Sequence, residues 1–123
     1  MAQIRTFKDL KVWQKAHELA LAVYQTTKHF PVEEKFGLIT QLRRAAVSVV
    51  SNLVEGFRRK SLKDSLNFYN IADSSLEELK YQLILSRDLK FIAPDQFNNI
   101  YSLTEEVGKM LCRWTQSHKS KLK

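Results

Sequence analysis

The residues with the clearest potential for acid–base chemistry are two glutamates, Glu55 and Glu78. Each belongs to a stripe of polar residues spaced three and four apart, which is the spacing of one helix face. The first stripe contains Gln41, Arg44, Ser48, Asn52 and Glu55, and the second contains Ser75, Glu78 and Gln82. If the two helices are antiparallel neighbours, these stripes face each other, and the glutamates could act as acids in a catalytic or ligand pocket.

The alternative is a structural polar seam, in which the same side chains bond to one another and set the register of two helices. We prefer this interpretation, because buried polar pairs can specify which helices associate. It predicts that Arg44 lies within bonding distance of Glu78 or Ser75, and that Asn52 is largely buried.

Other residues capable of chemistry occur singly. His17, His29 and His118 do not form an HExxH pair, and Cys112 is the only cysteine, which excludes a CxxC metal or redox site. Ser51 lacks the strand and turn of a nucleophile elbow, and the three glycines do not form a phosphate-binding loop. We therefore expect no catalytic residue, no metal site and no cofactor, and a protein that is not an enzyme.

Helical periodicity and capping signals define the elements that position these residues. Thr6 with Asp9, and Ser61 with Asp64, fit the capping box, and Pro31 ends the first helix. The helices are predicted at residues 8–29, 33–58, 62–90 and 94–118. With 44% hydrophobic residues but only 3 Gly and 2 Pro, we predict an all-α fold: an antiparallel up-down-up-down four-helix bundle, with all 123 residues in a single domain.

The central helix has an unusual surface for its neighbours. It presents two apolar stripes, and on one of them the side chains shrink to Ala45, Asn52 and Gly56. Small residues on a helix surface let another helix approach closely. We therefore predict close packing of a neighbouring helix at this stripe.

Positive charge is unevenly distributed along a chain whose net charge is +7. In the predicted topology, the start of the first helix, the connection between the second and third, and the end of the fourth lie at one end, which we name the basic pole. Twelve basic residues fall there against three acidic ones, a local excess of nine positive charges: Arg5, Lys8, Lys11, Lys15, Arg58, Arg59, Lys60, Lys63, Arg113, Lys119, Lys121 and Lys123, against Asp9, Glu55 and Asp64.

A basic pole of this kind attracts the phosphates of RNA or another nucleic acid without reading its sequence. The residues that we expect to contact nucleic acid are Lys8, Lys11, Lys15, Arg58, Arg59, Lys60, Lys63 and Arg113. The opposite end of the bundle is near neutral or acidic.

Apolar residues crowd that opposite end, and they suggest an oligomer. They are Tyr81, Leu83, Ile84, Leu85, Phe91, Ile92, Phe97 and Tyr101. We expect that one bundle cannot bury them all, so that a neighbouring subunit covers part of the band.

The N-terminal sequence contains no apolar signal segment, and no stretch approaches the roughly 18 apolar residues of a membrane span. Together with the single cysteine, this leads us to expect a cytoplasmic protein, with no membrane partner and no small-molecule substrate.

A run in the central helix resembles a known family. Its residues are Arg43, Arg44, Ala45, Ala46, Ser48, Ser51, Asn52, Glu55 and Gly56, accompanied by Phe30, Pro31, Ala72, Ser75, Leu76, Glu78, Leu79, Gln82 and Leu83. The pattern is similar to the bacterial four-helix-bundle proteins encoded within intervening sequences of 23S ribosomal RNA genes. This resemblance implies a closed homopentamer, and a relation to the accessory protein of diversity-generating retroelements, which works with a reverse transcriptase and nucleic acid.

Three hypotheses of function follow. The leading one is a non-enzymatic, oligomeric protein that associates with RNA or another nucleic acid through the basic pole. The alternative is a structural assembly module that recruits a protein partner and uses its charge only for solubility. The third is a hydrolase that uses Glu55 and Glu78.

Overall fold

The fold is all-α, as predicted, and is a four-helix bundle. In the computed structural model, which describes residues 3–121, the helices are α1 (Lys11–Thr27), α2 (Leu38–Arg58), α3 (Leu62–Asp88) and α4 (Pro94–Ser120). Two short 3-10 turns precede α1 and α2, and residues 3–121 contain no β-strand. Lys123, which we counted in the basic pole, lies outside the described residues.

Each helix packs against two others, as in an up-down-up-down bundle. α1 contacts α2 and α4, α3 contacts the same two helices, and within residues 3–121 the diagonal pairs have no Cα atoms within 8 Å of each other. Consecutive helices joined by short connections are antiparallel, so the start of α1, the end of α2, the start of α3 and the end of α4 share one end.

The first two helices begin later than predicted. The Thr6 and Asp9 capping box is present, but it caps the 3-10 turn Phe7–Asp9, and Leu10 is then extended, so that α1 begins at Lys11. Before α2, the Glu34 carboxylate accepts a hydrogen bond from the Leu38 amide at 3.1 Å. The helix begins only at Leu38 because the N-cap residue Gly37, with φ −115° and ψ −110°, is outside the helical region, and Glu34 stabilises the N-terminus of α2 from outside.

The α2–α3 pair is the most extensive helix contact, and it is close at the predicted position. The ring of Tyr69 packs directly on Gly56, and a Cβ atom at residue 56 would overlap that ring. The Ser65 hydroxyl donates to the Gly56 carbonyl at 2.7 Å, which ties the start of α3 to the end of α2.

As expected, one bundle does not bury the whole apolar band, although it covers most of these residues in part. Leu83, Ile92 and Phe97 belong to the buried core, and Ile84, Leu85, Phe91 and Tyr101 are partly buried against it. Only Tyr81, at 62% exposure, is largely outside. This partial coverage comes from the segment between α3 and α4, which folds over the end of the bundle, where Phe91 packs on Phe30 with ring centroids 5.5 Å apart.

Candidate nucleic-acid interface

The basic pole contains a group of cations that are free of ion pairs. Six of the eight predicted contact residues are exposed and form no ion pair with any residue from 3 to 121: Lys8, Lys11, Arg58, Lys60, Lys63 and Arg113. They come from the start of α1, the α2–α3 connection and the end of α4. Unpaired, solvated cations of this kind are available to phosphates.

Lys15 differs from these six residues because two carboxylates surround it. Its Nζ lies 3.4 Å from Glu18 on the same helix and 3.4 Å from Glu106 on α4. Hydrogen bonds to Glu106 and then to Glu18 raise the pKa of Lys15 above its usual value. The local charge at Lys15 is therefore negative overall, and this residue does not add to the positive field of the pole.

Arg59 is also held by neighbours. Its guanidinium pairs with the Glu55 carboxylate one turn earlier and lies 4.6 Å from the ring centroid of Phe68. Its charge is partly compensated, so the connection presents mainly Arg58 and Lys60.

An apolar groove, which we name the terminal groove, opens within the basic pole between the start of α1 and the end of α4. It has a volume of about 480 Å³. Leu10, Val12, Met110 and Trp114 supply apolar surface, while Ile4, Asp9, Lys11, Arg113 and Ser117 complete the lining. Because residues from both helices line this groove, the start of α1 and the end of α4 lie next to each other at the basic pole.

Asp9 is the one carboxylate among these lining residues, and it is already engaged. It accepts hydrogen bonds from the backbone amides of Arg5 at 2.8 Å and Thr6 at 3.0 Å. These bonds, that from Arg5 first, lower the pKa of Asp9. Asp9 therefore stays ionised at neutral pH, and its negative charge offsets part of the positive charge around the groove.

Three residues of the polar seam bond to one another. The hydroxyl oxygens of Ser48 and Ser75 are 2.7 Å apart, and the Asn52 amide nitrogen donates to the Ser48 carbonyl at 2.8 Å and to its hydroxyl at 3.2 Å. Ser75 is buried, and Asn52 is only partly buried.

The prediction for Arg44 is wrong. Arg44 is exposed, and within residues 3–121 it makes neither a hydrogen bond nor an ion pair with Glu78 or Ser75. The Ser75 hydroxyl bonds instead to Ser48, one turn along α2 from Arg44. Glu78 and Gln41 are likewise exposed. Gln82 is buried, and its Oε1 atom has no hydrogen-bond partner among the residues that the structure describes.

Glu55 and Glu78 do not form an acid pair. The contact between Ser48 and Ser75 sets the register, and in it Glu78 lies opposite residue 45 of α2. That position is ten residues from Glu55, or about 15 Å along the helix. Glu55 is paired with Arg59, so the two carboxylates do not converge on one pocket.

The sequence interpretation missed Arg43, which joins α2 to α1. Its Nε donates to the Thr27 hydroxyl at 2.9 Å, and its guanidinium lies 4.6 Å from the centroid of the Tyr24 ring. The available signal was its spacing, because Arg43 falls between Ile39 and Ala46 on the stripe that faces α1.

Across residues 3–121, no three His, Cys, Asp or Glu side chains are grouped so that they could hold a metal ion. None of the helices described combines the length and apolarity that crossing a bilayer requires.

Comparison with known proteins identifies relatives of the whole bundle. Residues 8–113 match the family described as 23S rRNA-intervening sequence protein. The chain is also similar to a crystal structure of a protein with unknown function from the S23 ribosomal protein family of Bacteroides thetaiotaomicron VPI-5482, with 27% sequence identity and a TM-score of 0.79, covering 85% of this chain and 95% of that one. A comparison of this chain with curated proteins found no match. The chain therefore belongs to the family of 23S rRNA-intervening sequence proteins.

Proposed function

We propose that this protein is a non-enzymatic, oligomeric bundle that associates with nucleic acid through its basic pole, with RNA as the partner. The observation that carries the proposal is the set of six exposed cations at one end of the bundle, which form no ion pair with any residue that the structure describes. The connection of the family with intervening sequences of 23S rRNA supports RNA as the first nucleic acid to test.

The binding mode that these cations support is contact with phosphates. Lysine and arginine side chains at phosphates release condensed counterions, so affinity falls steeply as salt rises, and base sequence has little effect. A cyclic oligomer would repeat the pole around its axis and form a ring of positive potential. The homopentamer implied by the family resemblance fits this arrangement.

The test is to remove charge at each end of the bundle in turn. Arg58→Gln/Lys60→Gln/Lys63→Gln removes three cations at the basic pole, and Lys28→Gln/Lys35→Gln/Lys90→Gln removes three exposed cations from the opposite end. In fluorescence anisotropy with a labelled RNA, the first variant should bind about 10- to 100-fold more weakly, with a salt slope shallower by about two to three. The second variant should bind like wild type.

Equal affinity of the two variants at low salt would overturn the basic pole as the binding site. Circular dichroism and light scattering of both variants verify that helicity and subunit number are unchanged. Scattering of the wild-type protein also tests oligomerisation, since a mass of 14.4 kDa would identify a monomer and contradict that part of the proposal.

A second candidate function is an assembly module that recruits a protein partner. It is favoured by Phe36, which is 90% exposed, and Val32, which is 76% exposed, both in the connection between α1 and α2. Exposed apolar side chains at one place on a surface are typical of protein contact sites. This function predicts little salt-dependent binding of RNA by the wild-type protein and no difference between the two charge variants.

A further inference from the structure

We propose that the terminal groove holds one unpaired nucleotide, so that the protein prefers single-stranded to double-stranded nucleic acid. This inference rests on the proposed function and adds the class of nucleic acid to it. The groove lies inside the basic pole, where a bound phosphate backbone would pass across it.

The size and surface of the groove suit a nucleobase better than a phosphate. Its volume of about 480 Å³ lies in the range of small-molecule pockets. Its walls include Met110 and Trp114, which are partly buried against the core, and its rim includes Ile4, which is 51% exposed. Bases stack on aromatic and apolar side chains because every base has an apolar face, whereas phosphates gain nothing from such a surface.

Charge on both sides of the groove supplies the second half of a nucleotide site. Lys11 on α1 and Arg113 on α4 both line it, both are exposed, and neither forms an ion pair within residues 3–121. A base in the groove would carry its phosphates to these two cations. Asp9 opposes this attraction with one negative charge, so the charged residues that line the groove, Lys11, Arg113 and Asp9, leave one net positive charge.

Strand preference follows from access to the base. In a duplex the bases are stacked and paired, so only the backbone can reach the pole, and the apolar surface of the groove stays unused. An unpaired base can turn out of the strand and enter. Both kinds of nucleic acid therefore use the cations, but only single strands use the groove.

The experiment compares one labelled RNA strand with the blunt duplex that it forms with its complement. The groove variant Ile4→Ala/Met110→Ala shortens apolar side chains without changing charge. Its matched control is Leu21→Ala/Val47→Ala, which shortens two apolar side chains, 56% and 43% exposed, away from the pole. Wild type should bind the single strand about tenfold more tightly than the duplex at equal salt.

The groove variant should lose that preference, with duplex affinity and salt slope unchanged, because no phosphate contact is removed. The control variant should keep the preference. A second readout uses Trp13→Phe, which leaves Trp114 as the only one of the two tryptophans. The single strand should quench Trp114 fluorescence, and the duplex should not.

Equal affinity for strand and duplex, unchanged single-strand binding in the groove variant, or unquenched Trp114 would each overturn the nucleotide site. If salt-dependent binding persists in those cases, the proposed function stands without it. Absence of salt-dependent binding to either probe would overturn the proposed function and this inference together.

Discussion

The hydroxyl oxygens of Ser48 and Ser75 lie 2.7 Å apart and join the middle of α2 to the middle of α3. Ser75 is buried, whereas Ser48 has a further partner in the Asn52 amide. The pair therefore specifies which residues of the two helices face each other. Without this bond, the Ser48 hydroxyl would still have Asn52 as a hydrogen-bond partner, so Ser75 depends on the bond more than Ser48 does.

Replacing Ser48 with Ala should lower the free energy of unfolding by about 1 to 2 kcal/mol, because the buried Ser75 hydroxyl is left without Ser48. Ser75→Ala should cost less, since Ser48 keeps Asn52. Chemical denaturation of both variants and of the double variant measures the coupling. The double variant should lose less than the sum of the single losses, and strict additivity would contradict the prediction.

Gly56→Ala and Gly108→Ala should have opposite effects, although both glycines lie within helices. At Gly56 the new methyl group overlaps the buried Tyr69 ring, and overpacking of this kind costs about 1 to 3 kcal/mol. At Gly108 the methyl group would meet Leu76 Cδ2 at 3.4 Å, and the variant should gain up to about 1 kcal/mol of helix propensity. Thermal denaturation tests both signs, and a stabilised Gly56→Ala would show that the ring can move aside.

Variants of the adjacent residues Arg43 and Arg44 provide another matched comparison of stability. Arg43→Gln removes the hydrogen bond to Thr27 and the contact with the Tyr24 ring, and should lower the free energy of unfolding by about 1 to 2 kcal/mol. Arg44→Gln should change it by less than about 0.5 kcal/mol, since Arg44 is exposed and makes no hydrogen bond or ion pair within residues 3–121. Urea denaturation measures the free energy of unfolding of both variants. Equal losses of stability would contradict the conclusion that Arg43, and not Arg44, stabilises the bundle.

Ionisation of Tyr69 should contribute to alkaline unfolding. Burial raises the pKa of its phenol above the usual 10.0. Because the folded-state pKa is the higher one, the stabilisation is complete below pH 10.0 and is lost as the pH rises through the folded-state pKa.

Denaturation below and above that pH, on wild type and Tyr69→Phe, checks this expectation. The Phe variant should show a shallower loss of stability, and parallel curves would assign the alkaline effect to other groups.

Sequence periodicity was sufficient for the helices and for the close approach at Gly56, because both depend on local spacing and side-chain size. It could place Arg43 on the stripe that faces α1, but it could not show that Arg44 turns into solvent. Arg44 lies about 100° further around the helix, and a long side chain at the edge of a helix face can reach either a neighbouring helix or the solvent. The sequence also could not predict the late start of α2, since Glu34 favours a helix N-terminus equally from inside the helix or from just outside it.

The apolar end of the bundle shows a different limit. Counting apolar residues around α3 correctly predicted that one bundle does not bury them all. It could not give the extent of their coverage, which depends on how the segment before Pro94 folds. That path is set by tertiary contacts such as Phe30 with Phe91, which are distant in sequence. The terminal groove could not be predicted from the sequence either, because it forms only where residues near both ends of the chain meet in the folded bundle.

The two ends of the bundle differ in net charge, since the basic pole has an excess of positive charge and the opposite end carries acidic residues beside its lysines. With α2 spanning 21 residues, the two ends are about 30 Å apart, so the centre of charge is displaced along the bundle axis from the centre of mass. In the field of a polyanion, such a molecule experiences a torque as well as an attraction. If the proposed function holds, the molecule would turn as it approaches a polyanion, with the basic pole towards it.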